Sequence, residues 1–290
     1  MKILKKELLK TIKNNTQLKN IKNLIILATS FLLFISCGSQ EPKENIDIIV
    51  SSTDAFIYNG VETKFTSSIN GTITEVIFYF DGKSIESVIS QPYNIKFTPN
   101  DVEPGNHKVT CIAKTSKGNS FSAETSVELK LRLGDSYQGG KIYYLDSTGK
   151  HGLIASTTDL KYSGDAGDVV RFCWGYQTVL GTSNDNGKAN TLLMANNSTS
   201  TSFAAFHFKS PGYNYNGYSD WYIPSINELQ LLKDNKSYVG GFSSATDWQA
   251  MYWSSSESTQ TYAFILNFNV LMANYDDKAK VFKIRPIRQF

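Results

Sequence analysis

With three cysteines, three histidines and seven prolines in 290 residues, the chain is short of the material that several chemistries need. Cys37, Cys111 and Cys173 stand singly, none with a second cysteine at a metal-binding spacing, and His107, His151 and His207 are equally dispersed, so the pattern makes no zinc site. No Gly-X-Y run occurs, which excludes a collagen triple helix. No DNA- or RNA-binding motif is present. The apolar run at 24–35 is twelve residues without a charge. As a helix it rises about 18 Å against a hydrocarbon core of about 30 Å, too short to span a bilayer comfortably.

What surrounds that run points to export. Seven lysines (Lys2, Lys5, Lys6, Lys10, Lys13, Lys19, Lys22) against one acid, Glu7, precede it, giving the basic and apolar regions of a signal peptide. Phe34-Ile35-Ser36-Cys37 follows and resembles the lipobox of bacterial lipoproteins, with Phe34 in place of the usual Leu. The resemblance implies a signal peptide at 1–36 and a mature N-terminus at Cys37 carrying several acyl chains, enough for stable membrane attachment. The expected location is the bacterial cell envelope, at the outer membrane. The export segment also distorts the charge. The whole chain has 29 basic and 26 acidic residues, and without residues 1–37 the balance is 22 to 25, near −3. A globally basic nucleic-acid binder is thereby excluded.

Residues 37–45 are polar and read as a tether. From 46 to 132 short β-rich runs recur about every ten residues, predicting strands at 46–50, 61–67, 73–80, 84–89, 93–97, 107–114 and 121–131. Seven strands in this length form a sandwich. Asp81-Gly82 after Val76-Ile77-Phe78-Tyr79-Phe80 is a type I′ hairpin signal. Together with Gln91-Pro92-Tyr93 and Pro104-Gly105-Asn106-His107-Lys108-Val109, this wording resembles the bacterial immunoglobulin-like domains that serve as spacers in surface proteins, which implies a structural role for His107. A Cys111–Cys173 bridge would have to join separate domains, so buried thiols are the stronger reading.

Residues 133–290 hold all four tryptophans and are long enough for their own core. Gly139–Gly140-Lys141-Ile142-Tyr143-Tyr144-Leu145 and His151-Gly152-Leu153-Ile154-Ala155 flank a Ser-Thr-Gly turn and predict a hairpin. Ser225 with Glu228 three residues on is a capping box opening a helix with Ile226, Leu229 and Leu232 on its apolar side. A short helix at 201–209 and strands at 251–255, 262–269 and 281–287 complete an α+β reading. In order along this segment, Gly139-Gly140-Lys141-Ile142, Gly187-Lys188-Ala189-Asn190-Thr191, Gly217-Tyr218-Ser219-Asp220-Trp221-Tyr222-Ile223-Pro224-Ser225, Tyr252-Trp253-Ser254-Ser255-Ser256-Glu257 and Ile284-Arg285-Pro286-Ile287-Arg288-Gln289-Phe290 resemble the C-terminal domain of bacterial collagen-like adhesins. The resemblance implies a C-type-lectin-like architecture and an adhesin that binds sulfated glycosaminoglycans. The collagen-like element that would make a trimer is missing.

Two groups of residues are candidates for ligand contact. Trp221, Tyr222, Tyr252 and Trp253 offer flat apolar faces to sugar rings, although core positions are the stronger reading for the two tryptophans. Lys278, Lys280, Lys283, Arg285 and Arg288 place five cations in eleven residues, suited to sulfate or carboxylate, while Arg285 and Arg288 also fit internal salt bridges. The acidic loops at 164–168 and 184–187 lack the ligand spacing of an EF-hand. No nucleophile elbow or assignable base appears, so no enzyme and no cofactor is expected. Two functions stand: a membrane-anchored adhesin binding glycan or polyanion through its C-terminal domain, or an envelope assembly protein contacting a protein partner.

Overall fold

A computed structural model describes residues 44–160, 169–171, 181–198, 204–270 and 273–290. The signal peptide, Cys37, most of the tether, Cys173 and the loop at 164–168 lie outside the described residues. Among those described, no helix is long and apolar enough to cross a membrane.

The N-terminal part is a sandwich of two sheets. One orders β1 (Ile48–Ser52), β3 (Thr63–Ile69) and β6 (Asn94–Phe97) as β1-β3-β6; the other orders β2 (Phe56–Tyr58), β4 (Ile73–Phe80), β5 (Lys83–Val88), β7 (Gly105–Thr115) and β8 (Ser120–Lys130) as β2-β8-β7-β4-β5. Alternation explains the core: Val76, Phe78 and Phe80 of β4 and Val109, Cys111 and Ala113 of β7 point inward at every second position. Asp81 and Gly82 both take positive φ, 47° and 78°, as the type I′ turn between β4 and β5 requires. His107 is satisfied structurally: its ring stacks on Phe80, Nδ1 meets Asp81 at 2.6 Å and Nε2 meets the Glu103 carbonyl at 2.8 Å.

The C-terminal part combines two further sheets with helices. β9 (Ser136–Tyr137), β10 (Gly140–Leu145), β11 (Gly152–Ala155) and β17 (Ile287–Gln289) form one sheet in the order β17-β11-β10-β9. β12 (Val169–Arg171), β13 (Met251–Glu257), β14 (Tyr262–Asn267), β15 (Ala273–Asp277) and β16 (Val281–Lys283) form the other, ordered β12-β16-β13-β14-β15. The helices are α1 (Gly187–Asn197), α2 (Ile226–Asp234), α3 (Lys236–Val239) and 3-10 turns at Ala204–Phe208 and Trp248–Ala250. The Ser225/Glu228 capping box opens α2 as expected. Leu229 and Leu232 pack on Tyr143, Tyr222, Tyr252, Leu266 and Ile287, so α2 closes a core drawn from both sheets.

Two expectations need correction. The strand expected at 281–287 is broken at Ile284, Arg285 and Pro286, because Pro286 has no N–H for a ladder and Arg285 turns its guanidinium into the interior. α1 was not foreseen as a helix: its buried side is Gly187, Asn190, Thr191, Met194 and Ala195 while Leu192 and Leu193 face out, which inverts the usual apolar stripe.

Candidate functional site

The capping-box carboxylate organises the surroundings of the site. Glu228 Oε2 accepts from the backbone N–H of Ser225 at 2.8 Å and of Gly187 at 3.0 Å, and Oε1 accepts from the Tyr222 hydroxyl at 3.0 Å. One buried acid therefore ties the start of α1 to the start of α2 and to the strand-like segment before it. Burial, reinforced by the Glu228 charge, drives the Tyr222 phenol far above its ordinary range, so it stays a donor. The backbone of Tyr222 pairs both ways with Ile287, fixing Asp220 and Trp221 beside β17.

Between α1 and this segment lies an open groove of about 490 Å³. Phe208, Trp221 and Tyr222 supply its largely buried apolar side, and Asn186, Lys188, Leu192, Ser219, Asp220 and Gln289 stand exposed around it. Among the described residues Asp220 is the one carboxylate lining the groove, and it is committed: Arg288 grips it with Nε to Oδ1 at 2.8 Å and Nη2 to Oδ2 at 2.9 Å. Among the described residues Lys188 has no acidic partner, and the groove's lining holds both this lysine and an acid already neutralised by Arg288. The combination of an apolar floor, amides, hydroxyls and a cation suits a polar ligand that carries apolar ring faces.

The expected ligand residues separate in the structure. Trp221 and Tyr222 reach the groove, though each is buried to within a few per cent. Tyr252 and Trp253 have no exposure; Tyr252 packs on Phe268 at 4.5 Å and Trp253 on Phe282 at 4.9 Å, so neither can meet a sugar. The basic run does not assemble into a cationic face. Lys278 is buried against Glu257 at 2.6 Å, Lys280 pairs with Asp276 at 2.8 Å, Lys283 and Arg285 share Asp159 at 3.7 and 2.8 Å, and Arg288 holds Asp220. Each cation is placed by an acid distant in sequence or across a turn, so the five cations of the run pair with four acids, and only the Lys280–Asp276 pair is exposed.

Arg285 shows what the charge does instead. Its guanidinium donates to Asp159, to the carbonyl of Ser156 at 3.3 Å and to those of Gly240 and Gly241 at 3.1 and 2.8 Å, and it lies 4.0 Å from the Phe242 ring. Burial of Asp159 raises its carboxyl against the opposing pull of Arg285. Lys188, Asn186, Leu192 and Gln289 were not singled out as ligand-facing, because their placement depends on α1 lying beside the Trp221 segment.

The fold defines a two-part protein in which an immunoglobulin-type sandwich is followed by a mixed domain of sheets and helices. Comparison with family models makes the parts specific: residues 41–111 match a bacterial Ig domain and residues 167–288 match the Lcl C-terminal domain, and the chain carries both in that order. Among curated proteins nothing matches. Solved structures with local similarity include fibronectin(III)-like modules of Clostridium thermocellum CbhA, at 26% identity and TM-score 0.24, covering 29% of this chain and 96% of that one. Carbohydrate-binding modules of the β-sandwich superfamily match at 15% identity and TM-score 0.28, with 40% of this chain and 50% of that one covered. SGBP-B of the Bacteroides ovatus mixed-linkage glucan utilization locus, solved with a mixed-linkage heptasaccharide, matches at 15% identity and TM-score 0.25 over 40% of this chain and 32% of that one.

Proposed function

We propose that the chain is a lipid-anchored cell-envelope protein whose C-terminal domain, read as C-type-lectin-like, binds a saccharide segment of an extracellular glycan without turning it over. The observation that carries this reading is the groove itself, in which Phe208 and Trp221 lie under a rim of Asn186, Lys188, Ser219 and Gln289. Sugar rings need both an apolar surface and hydrogen-bonding groups. The commitment of Asp220 supports reading this as binding without catalysis: a carboxylate clamped by a guanidinium is a poor proton donor, and glycoside hydrolysis uses two carboxyl groups. Lys188 favours acidic sugars over neutral ones.

The test is a glycan array on the full-length chain in detergent, followed by titration of the best binder against Lys188→Ala and Leu192→Ala. Loss of affinity in both, with the melting temperature unchanged, supports the groove; unchanged affinity in both removes it. A protein partner is favoured by a different observation, the 63% exposure of Leu192 beside the 36% exposure of Leu193 on α1. An array without binders, combined with a crosslinked envelope protein lost on Leu193→Asp, establishes that second function. The anchor is tested by fatty-acid labelling, expected on the wild type and absent from Cys37→Ser.

A further inference from the structure

The Ig-like sandwich and the C-terminal domain meet within one compact unit, Asp47–Phe290. Their seam is built around the loop before β7. Asp101, at φ 58°, accepts from the backbone N–H of Gln138 through Oδ1 and from the Tyr218 hydroxyl through Oδ2 at 2.8 Å. Glu103 accepts from the Tyr137 hydroxyl at 2.6 Å, and its own carbonyl is held by His107. Both acids belong to the sandwich, and every one of these donors except His107 belongs to the other domain.

The same donors continue to the groove. Gln138, itself at φ 44°, turns its carbonyl and Oε1 toward Arg288 Nη1, both at 2.9 Å. Arg288 lies 4.1 Å from the centre of the Tyr218 ring and grips Asp220 with its other two nitrogens. Asp101 thus reaches Asp220 by two routes that share Arg288, one through Gln138 and one through the Tyr218 ring. Arg288 is 8% exposed in its side chain and Asp220 44%, so the guanidinium at the centre of these bonds is shielded from water while the carboxylates at their ends face it. Gly139 leaves room for this packing: a β-carbon there would stand 2.8 Å from Tyr218 Cδ2.

We infer that the Ig-like domain is a working part of the binding domain and not a spacer: its Asp101 positions Gln138 and Tyr218, and through Arg288 these hold Asp220 and the Ser219–Trp221 wall of the groove. Asp101 and Glu103 are positioning residues, since neither lines the groove. The inference concerns the shape of the groove and does not depend on what fills it.

Native-state hydrogen exchange of the full-length chain tests it, with no ligand required. Asp101→Gly removes the carboxylate and keeps the positive φ free of strain. Tyr218→Phe cuts one of the two routes, and Lys96→Ala, which removes an exposed ion pair with Glu62 elsewhere on the sandwich, is the control. Asp101→Gly is expected to speed exchange of the Gln138 amide, and of the Tyr222 and Ile287 amides whose mutual bonds hold the groove wall to β17, by about tenfold or more, the value of one charge-assisted bond. Tyr218→Phe should speed Tyr222 and Ile287 by less, and Lys96→Ala should change neither. Faster exchange confined to 100–104 and 138, with Tyr222 and Ile287 at the wild-type rate, overturns the inference. So does equal acceleration by Lys96→Ala, which would trace the effect to general loosening of the sandwich.

Discussion

Lys278 places its ammonium 2.6 Å from Glu257 Oε1, with its own side chain fully buried and that of Glu257 3% exposed, and donates also to the Gln260 carbonyl at 3.0 Å. Truncating one partner of such a pair strands the other charge in the interior, at about 3–5 kcal/mol. Lys278→Ala and Glu257→Gln should each lower the melting temperature by roughly 10 °C. Lys280→Ala, which breaks an exposed pair with Asp276, should leave it unchanged. Equal effects from Lys278→Ala and Lys280→Ala in thermal unfolding would contradict the structural role given to Lys278.

The basic run was legible as charge but not as geometry. Its composition is plain in the sequence, while the acids that neutralise all of it but Lys280, namely Asp159, Asp220 and Glu257, stand 21 to 126 residues away and are brought in only by the fold. By contrast, the Asp81-Gly82 turn and the Ser225/Glu228 cap were readable because their partners lie within three residues. Most sandwich strands were readable from alternation, and β2 was missed because its three residues are too few to show a period. α1 escaped notice for the opposite reason: apart from Met194 it turns small and polar groups inward, and its leucines outward, so no helical stripe marks it. The groove depends on α1, and most of its rim was therefore invisible.

Acid should loosen the sandwich first at its hairpins. Burial raises the Asp81 carboxyl, but the bonds from His107 and the Lys108 N–H together outweigh it and leave the group below its ordinary range. Glu75 is held low by Lys114 and Ser87, and Glu124 by Lys108. A depressed carboxylate contributes stability that is present above its unfolded pKa of about 4 and lost as the pH falls through the lower folded value. Urea unfolding monitored on the sandwich should show a midpoint steady from pH 7 to 5 that falls below about pH 4. Asp81→Asn should flatten that fall, and an unaltered slope in this variant would rule Asp81 out as a contributor.

Cys111 is expected to be chemically silent. It is buried in β7, and burial pushes its thiol up to about 11, leaving almost no thiolate at neutral pH. Native protein treated with iodoacetamide at pH 8 should yield an unmodified Cys111 peptide by mass spectrometry. The same peptide should be fully alkylated in denaturant. Rapid native labelling would mean that the sandwich opens locally at β7.

Gly187 tests whether Glu228 organises the groove. A β-carbon at Gly187 would stand 2.4 Å from Glu228 Oε2 and 2.5 Å from the Ile223 carbonyl and the Ser225 nitrogen, with backbone on two sides that cannot yield. Gly187→Ala therefore has to displace either α1 or the carboxylate. Displacing the carboxylate costs the bonds to Gly187, Ser225 and Tyr222 together, while Ser225→Ala removes only the side-chain cap, worth about 1 kcal/mol. Gly187→Ala should consequently destabilise the chain by several times the Ser225→Ala effect, on the order of 3 kcal/mol, as overpacked sites against rigid neighbours do. Glu228→Gln, which keeps the size but exchanges one acceptor oxygen for a donor, should fall between the two. Equal costs for Gly187→Ala and Ser225→Ala would show that α1 shifts without resistance, and that the groove wall it forms is set by something other than Glu228.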